Sequence, residues 1–327
     1  MTTERPEPDE TEPDEPAPLR LSITDELAGH RADDAVLRSF PGFSRNEVKA
    51  LFEAGRVRGN GRRLKKGDRV EQDMQLTVEA PSVAITPDPS EPLTILFESA
   101  DFVIVDKPAG LPTAPLVRTE KRSLAAALLA RYPEMQGVGF REREPGLVHR
   151  LDTETSGVVL AARSSAAFEA ARALFESSLI EKRYLAVVAA GLQSQGEVET
   201  LLGPDRSDPR RVRVYDTDSD GYAKHAHTRY RVLQSNSRFA LVELSVERAF
   251  RHQIRAHLAH LGYPIAGDAL YGGPPAPELG ARHALHGSVI AWDGDAARSG
   301  FRGEAPLPLE LGRLLETGGL ETGDAGT

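Results

Sequence analysis

The chain has no cysteine, which excludes a disulfide-stapled scaffold, a thiolate-ligated zinc site and a thiol nucleophile. No run approaches the ~18 apolar residues of a membrane span. The first residues are neither basic nor apolar, so no secretory signal is expected and the reading is cytoplasmic, with no membrane association. Bases are not in excess either. Forty Lys and Arg face 49 acids, for a net charge of −9, which counts mildly against nucleic acid, because phosphate contacts need Lys and Arg. What is present suffices for a sizeable core: 327 residues, 40% of them hydrophobic, fit one large or two modest domains.

The charge is unevenly spread. Residues 1–18 hold seven acids against Arg5 and include five prolines, a composition that cannot bury enough surface to offset ordering entropy; a disordered acidic tail is predicted there. Residues 303–327 carry five acids against Arg313 and repeated Gly and Thr, and read as a second loose tail. Setting both aside leaves 19–302 at about +1, so the argument against nucleic acid falls away.

Between Arg45 and Arg69 nine bases face three acids, a local +6. By itself such a run reads equally as a solvated basic face. Its context adds order. Ser44-Arg45-Asn46-Glu47 has capping-box spacing, Val48, Leu51 and Phe52 share a helical face, and Gly55 supplies a stop. Asn60-Gly61 signals a hairpin, Lys66-Gly67-Asp68 a second turn, and QLTVEA a closing strand. A first helix is expected around Asp25–Arg38. This succession over 19–80 resembles the S-four-type RNA-binding domain, a small α+β fold. The resemblance implies that Arg45, Lys49, Arg58 and Lys65 meet RNA phosphates, which gives affinity and register more than base specificity.

Residues 81–92 hold four prolines and read as a semi-rigid linker. From 93 to 302 a larger domain is predicted. Thr94–Glu98 pairs with Phe102–Asp106, Ser123–Tyr132 and Ser164–Ser177 are helices, and Val158–Ala162, Arg183–Ala190, Ala226–Leu233 and Phe239–Val246 are strands. Arg251–Leu261 reads as a helix. Without a βαβ rhythm, the expectation is α+β: a mixed, largely antiparallel sheet with flanking helices.

Reactive and turn-forming groups concentrate in Gly146–Gly157, around His149-Arg150-Leu151-Asp152-Thr153-Glu154-Thr155-Ser156-Gly157. On residue type alone, Asp152 reads more readily as a turn cap than as a catalytic carboxylate. The string itself, followed by VVLAA, resembles the RluA-type pseudouridine synthase signature. Further blocks match in order: FVIVDKPAGLPT at 102–113, Lys182-Arg183-Tyr184, His252-Gln253-Ile254-Arg255, Gly267-Asp268-Ala269-Leu270-Tyr271-Gly272-Gly273 and Arg282-His283-Ala284-Leu285-His286. The resemblance spans about 93–290. It implies isomerisation of uridine to pseudouridine in RNA, with neither cofactor nor metal, by a monomer.

Carried over by position, Asp152 is the catalytic carboxylate, acting on the anomeric carbon or through a glycal. Arg255 is its partner, able to lower a carboxylate pKa by ~1–3 units, and Tyr184 packs on the flipped base. His149, Arg150 and Arg251 are candidate RNA contacts. Each has a plainer reading: Tyr184 as core, Arg255 on a solvent face, Arg150 in a salt bridge, His149 holding the loop. His252, His257 and His260, like His225 and His227, do not make a zinc site, having no carboxylate set among them.

One stretch departs from the family pattern. Where relatives carry Thr-Gly-Arg-Thr, this chain has Arg248-Ala249-Phe250-Arg251, so the local RNA contact and target cannot be carried over. Large-subunit ribosomal RNA is the favoured substrate and transfer RNA the alternative. An idle RNA-binding or ribosome-assembly factor, and a carboxylate-pair glycosidase using Asp152 and Glu154, are the competing classes. Deleting residues 1–18 is expected to leave catalysis and RNA affinity intact; a large loss of affinity in a filter-binding titration would contradict the tail reading.

Overall fold

The computed structural model describes residues 18–40, 43, 45–79, 85–115, 122–217, 223–296 and 298–316. The acidic stretch 1–17, Ser44, linker residues 81–84 and 317–327 lie outside them. The chain divides into two compact units, one comprising 1–84 with Phe140–Glu142, the other Ile85–Gly139 and everything from Arg143 onward.

In the smaller unit, β1 (Leu19–Ser22), α1 (Ala32–Ser39), α2 (Arg45–Glu53), β2 (Val57–Gly59), β3 (Arg62–Arg63) and β4 (Gln75–Val78) follow in order. The sheet is antiparallel, ordered β1-β4-β2-β3. Val48, Leu51 and Phe52 turn inward from α2 to meet Ala35, Val36, Val57, Leu76 and Val78. Gly55, at φ 71°, ends α2 while the Arg56 N–H reaches back to the Leu51 carbonyl. Asn60 and Gly61 both take positive φ, 49° and 79°, as a tight turn between β2 and β3 requires. The first helix begins later than the pattern predicted, because Gly29 at φ 81° breaks the helical path before Ala32.

The larger unit opens with the hairpin β5 (Thr94–Glu98) and β6 (Phe102–Lys107), then α3 (Leu124–Arg131), capped by the Ser123 hydroxyl accepting the Ala126 N–H at 3.2 Å. The fully buried β7 (Ser156–Ala162) leads into α4 (Ser165–Glu176), capped in the same way by Ser164. Next come β8 (Glu181–Ala189), β9 (Gln195–Pro204), β10 (Val212–Tyr215), β11 (Lys224–Ser235), β12 (Phe239–Val246) and α5 (Gln253–His260). β13 (Leu285–Gly294), β14 (Ser299–Glu304) and α6 (Leu309–Glu316) close the unit. Among the described residues ten strands make one sheet, ordered β10-β9-β11-β12-β8-β13-β7-β6-β5, with β14 on β13. All pairings of this sheet among the described residues are antiparallel except a short parallel junction, where His286 and Gly287 of β13 face Ser156 and Gly157 of β7. The architecture is α+β with a mixed, largely antiparallel sheet, as predicted.

Strands β9 and β13 escape a period-two reading for opposite reasons. β9 carries glycine and proline at its ends, whereas β13 is buried on both faces from Leu285 to Trp292 and so does not alternate. Gly157, at φ 116°, is obligatory at the parallel junction: a Cβ there would sit on the Gly287 carbonyl.

The expectation of a loose tail from 303 is corrected over 303–316. β14 pairs with β13, and α6 buries Leu311, Leu314 and Leu315 in the main core beside Val242, Leu244 and Leu285. Counting acids and glycines hid three leucines at i, i+3 and i+4, an amphipathic face that stabilises the segment. Its Glu310 accepts an ion pair from buried Arg282 at 2.7 Å. Leu314→Ala is expected to destabilise the protein by about 2–5 kcal/mol in urea unfolding; an unchanged midpoint would restore the tail reading.

Candidate active site

Asp152 sits in the loop that feeds β7, in a turn closed by the Thr155 N–H donating to its carbonyl at 3.0 Å. The loop is held on each side of the carboxylate. Before it, the Thr113 hydroxyl donates to the Leu151 carbonyl at 2.7 Å and accepts the Leu151 N–H at 3.2 Å. After it, the buried Lys107 ammonium donates to the carbonyls of Thr153, Leu111 and Pro108 at 3.1, 2.7 and 2.9 Å. Burial pulls the Lys107 pKa down to about 7, against the nearby charges of Glu154 and Asp152. Further on, Thr155 Oγ1 meets His283 Nε2 at 2.8 Å, and Ser156 Oγ meets His286 Nδ1 at 2.8 Å while accepting from Arg282 Nη2 at 2.9 Å.

The carboxylate itself meets Arg255 of α5. Arg255 Nη1 donates to Asp152 Oδ2 at 2.8 Å, while its Nε and Nη2 grip Asp268 Oδ2 and Oδ1 at 2.7 and 2.8 Å. The guanidinium lies over the Tyr271 ring, 5.0 Å from its centroid. This disposes of the solvent-face reading of Arg255, which is buried. Burial works against a charge on Asp152, but His252 and Arg255 overcome it and hold the pKa below the ordinary carboxylate value. His252 is itself pushed down to about 4 by burial, so at neutral pH the arginine supplies that field. Asp152 is therefore anionic, oriented through one oxygen and partly exposed.

Tyr184, on β8 directly across from Gly287 of β13, is half-buried against Leu151's cluster and the main core. Burial and the Asp152 charge push its hydroxyl up to about 12, so it stays a neutral phenol. A Cβ at Gly287 would make only ordinary van der Waals contact with the Tyr184 ring, at 3.6 Å. An anionic carboxylate beside an aromatic wall suits chemistry at an electron-poor carbon next to a planar base.

The remaining predicted residues spread out. His149 Nε2 accepts the Leu160 N–H at 2.9 Å and its ring packs on Phe175, so it holds the loop to β7. Arg150 is exposed and paired with Glu144 at 2.9 Å. Arg251 spends its guanidinium on the carbonyls of Pro209 and Arg210, bracing the turn before β10. In the smaller unit Arg45, Lys49, Arg58 and Lys65 are all exposed; Lys49 pairs with Glu53 and Arg58 with Glu79. In the divergent stretch 248–251, Phe250 exchanges hydrogen bonds with Gln253, whose amide is tied to His227 and Thr228. Among the described residues, no group of three or more His, Asp or Glu is placed to hold a metal.

Sequence reasoning assigned no role to Lys107, Thr113, Asp268, Tyr271 or His283. All lie in the blocks that carried the resemblance, which was the available signal. Several of their contacts are distant in the chain, 128 positions for Thr155–His283 and 46 for Lys107–Thr153, and no local pattern encodes such pairs.

The RNA pseudouridylate synthase family profile matches residues 101–260. The chain is 33% identical over 310 residues to ribosomal large subunit pseudouridine synthase D of Xylella fastidiosa, covering 90% of this chain and 91% of that one. It is 30% identical over 302 residues to the uncharacterized RNA pseudouridine synthase YlyB of Bacillus subtilis, covering 91% and 97%. Among solved structures, human RNA pseudouridylate synthase domain containing 4 matches with a TM-score of 0.53 and 26% identity, over 68% of this chain and 93% of that one.

Burial depresses His257, His283 and His286 to about 4, like His252. Unfolded, each titrates near 6.5, so between those values the unfolded chain binds more protons. The stability they contribute is fully present above pH 6.5 and is lost as pH falls through about 4. The urea midpoint is expected to fall steeply across that window, and His257→Gln to flatten the slope. A midpoint independent of pH there would contradict neutral burial.

Proposed function

The chain belongs to the RNA pseudouridine synthase family, enzymes that isomerise uridine within RNA, and from that premise we propose that it modifies large-subunit ribosomal RNA with Asp152 as the reacting carboxylate. The observation that carries this reading is the Asp152–Arg255 pair, 2.8 Å apart at the head of β7, within the stretch that matches the family.

Separating uracil from ribose leaves positive charge at the anomeric carbon. An anionic Asp152 answers it by bonding to that carbon or by assisting departure through a glycal, and Arg255 stays cationic by either route. Tyr184 forms the wall against which the detached base turns before rejoining through carbon, a stacking contact of ~1–3 kcal/mol. Bringing the uridine out of its stack costs a few kcal/mol, least in a loop or bulge. The smaller unit acts as an S-four-type RNA-binding module: its two helices on a small sheet and the exposed Arg45, Lys49, Arg58 and Lys65 support phosphate contact. Arg150 joins them by exchanging Glu144 for phosphate. The ribosomal assignment is supported by the Xylella relative's name.

Asp152→Asn and Asp152→Ala are expected to abolish pseudouridine formation while preserving RNA binding. Undiminished conversion in both would reject Asp152. Rescue of a deletion phenotype by either variant would favour an idle binding factor. Pseudouridine mapping across all RNA, with and without the gene, identifies the target class; sites confined to transfer RNA would overturn the ribosomal choice.

A further inference from the structure

Isomerisation needs a proton acceptor as well as a reacting carboxylate. When the C5–C1′ bond has formed, C5 still carries its hydrogen, and the ring regains its double bond only when that proton leaves. Resting on Asp152 as the reacting group, we infer that His252 Nε2 receives the proton released from C5.

Three features carry this. Position comes first: Nε2 lies 3.5 Å from Asp152 Oδ2, with the side chain only 10% exposed. That separation is too long for a strong hydrogen bond and short enough for the carboxylate to stabilise an imidazolium. The second is tautomer. His252 Nδ1 faces the Tyr271 hydroxyl at 3.1 Å, and that oxygen takes the Val212 N–H at 2.9 Å and lies 3.2 Å from the Val212 carbonyl. With the tyrosine donating to the carbonyl and Nδ1–H donating to the tyrosine, the lone pair lies on Nε2, the tautomer the inference requires. The third is backbone. His252 holds φ 54° and ψ 17° as the residue before α5, a left-handed conformation that a non-glycine residue adopts at a cost and that places the ring beside the carboxylate.

The groups facing His252 are Asp152 and Asp268, which favour its protonation, Arg255 and Arg251, which oppose it, and the Tyr271 hydroxyl. Burial adds to the opposition and keeps the resting ring neutral, hence a base. The step balances. The C5–H electron pair returns to the ring as the C5–C6 double bond, the proton passes to Nε2, and the imidazolium then yields it to N1, which lost its bond to C1′. No oxidant, reductant or metal takes part.

The test uses the full chain and large-subunit ribosomal RNA transcribed in vitro, carrying either uridine tritiated at C5 or 5-fluorouridine. The fluorinated base can be detached and rejoined but has no C5 proton to lose. His252→Gln is expected to slow tritium release by about 10²-fold or more, in the range general base catalysis supplies, with rearrangement of 5-fluorouridine near the wild-type rate. Asp152→Asn is expected to stop both. Equal slowing of both substrates by His252→Gln would reveal a merely structural residue, and unchanged tritium release would send the proton elsewhere; either overturns the inference alone. Wild-type protein inert on both RNAs would overturn the proposed function with it.

Discussion

A guanidinium buried between two carboxylates organises the larger unit. Arg255 spends two nitrogens on Asp268 and the third on Asp152, so its plane is fixed before any substrate arrives. That asymmetry matters. Asp268 is almost wholly buried and doubly bonded, whereas Asp152 keeps one oxygen outside the pair and remains partly exposed. A lysine could not reproduce this, because a point charge cannot grip one carboxylate bidentately while presenting a fixed donor to another. Removing the arginine would leave two acids facing each other without compensation, which is costly in a buried setting.

Around that pair, the sheet topology sets the distances. The parallel junction of β7 and β13 is two residues long, yet it brings the loop from HRLDTETSG beside the segment Arg282–His286. Gly157 lets the two backbones approach, and Tyr184 stands on β8 across from Gly287. The loop is pinned by Thr113 and Lys107 on one side and by His283, His286 and Arg282 on the other. α6 completes the support. Its Glu310 pairs with Arg282, which in turn holds Ser156 at the first residue of β7. A C-terminal segment that composition alone would discard is thus two hydrogen bonds from the loop that carries Asp152.

Net charge misleads for the same reason. The −9 includes a −6 over residues 1–18 and acids such as Glu310 that are engaged in the fold. Electrostatics at Asp152 are decided within a few ångströms by Arg255, not by the total.

Much was legible in the sequence because it was local or periodic. The capped helices α3 and α4, the β5–β6 hairpin, the Asn60-Gly61 turn and the α+β class all follow from patterns within about fifteen residues, where sterics and hydrophobic period act. The ordered motif blocks likewise named Asp152, Arg255 and Tyr184 together. What they left open was pairing. That Arg255 faces inward to Asp268, that His149 is occupied with Leu160, that Arg251 braces a turn and that Leu311, Leu314 and Leu315 anchor the C-terminal helix depend on contacts between distant segments. A helix face, a charge or a leucine triplet acquires its meaning from what packs against it, and only the assembled sheet supplies that partner.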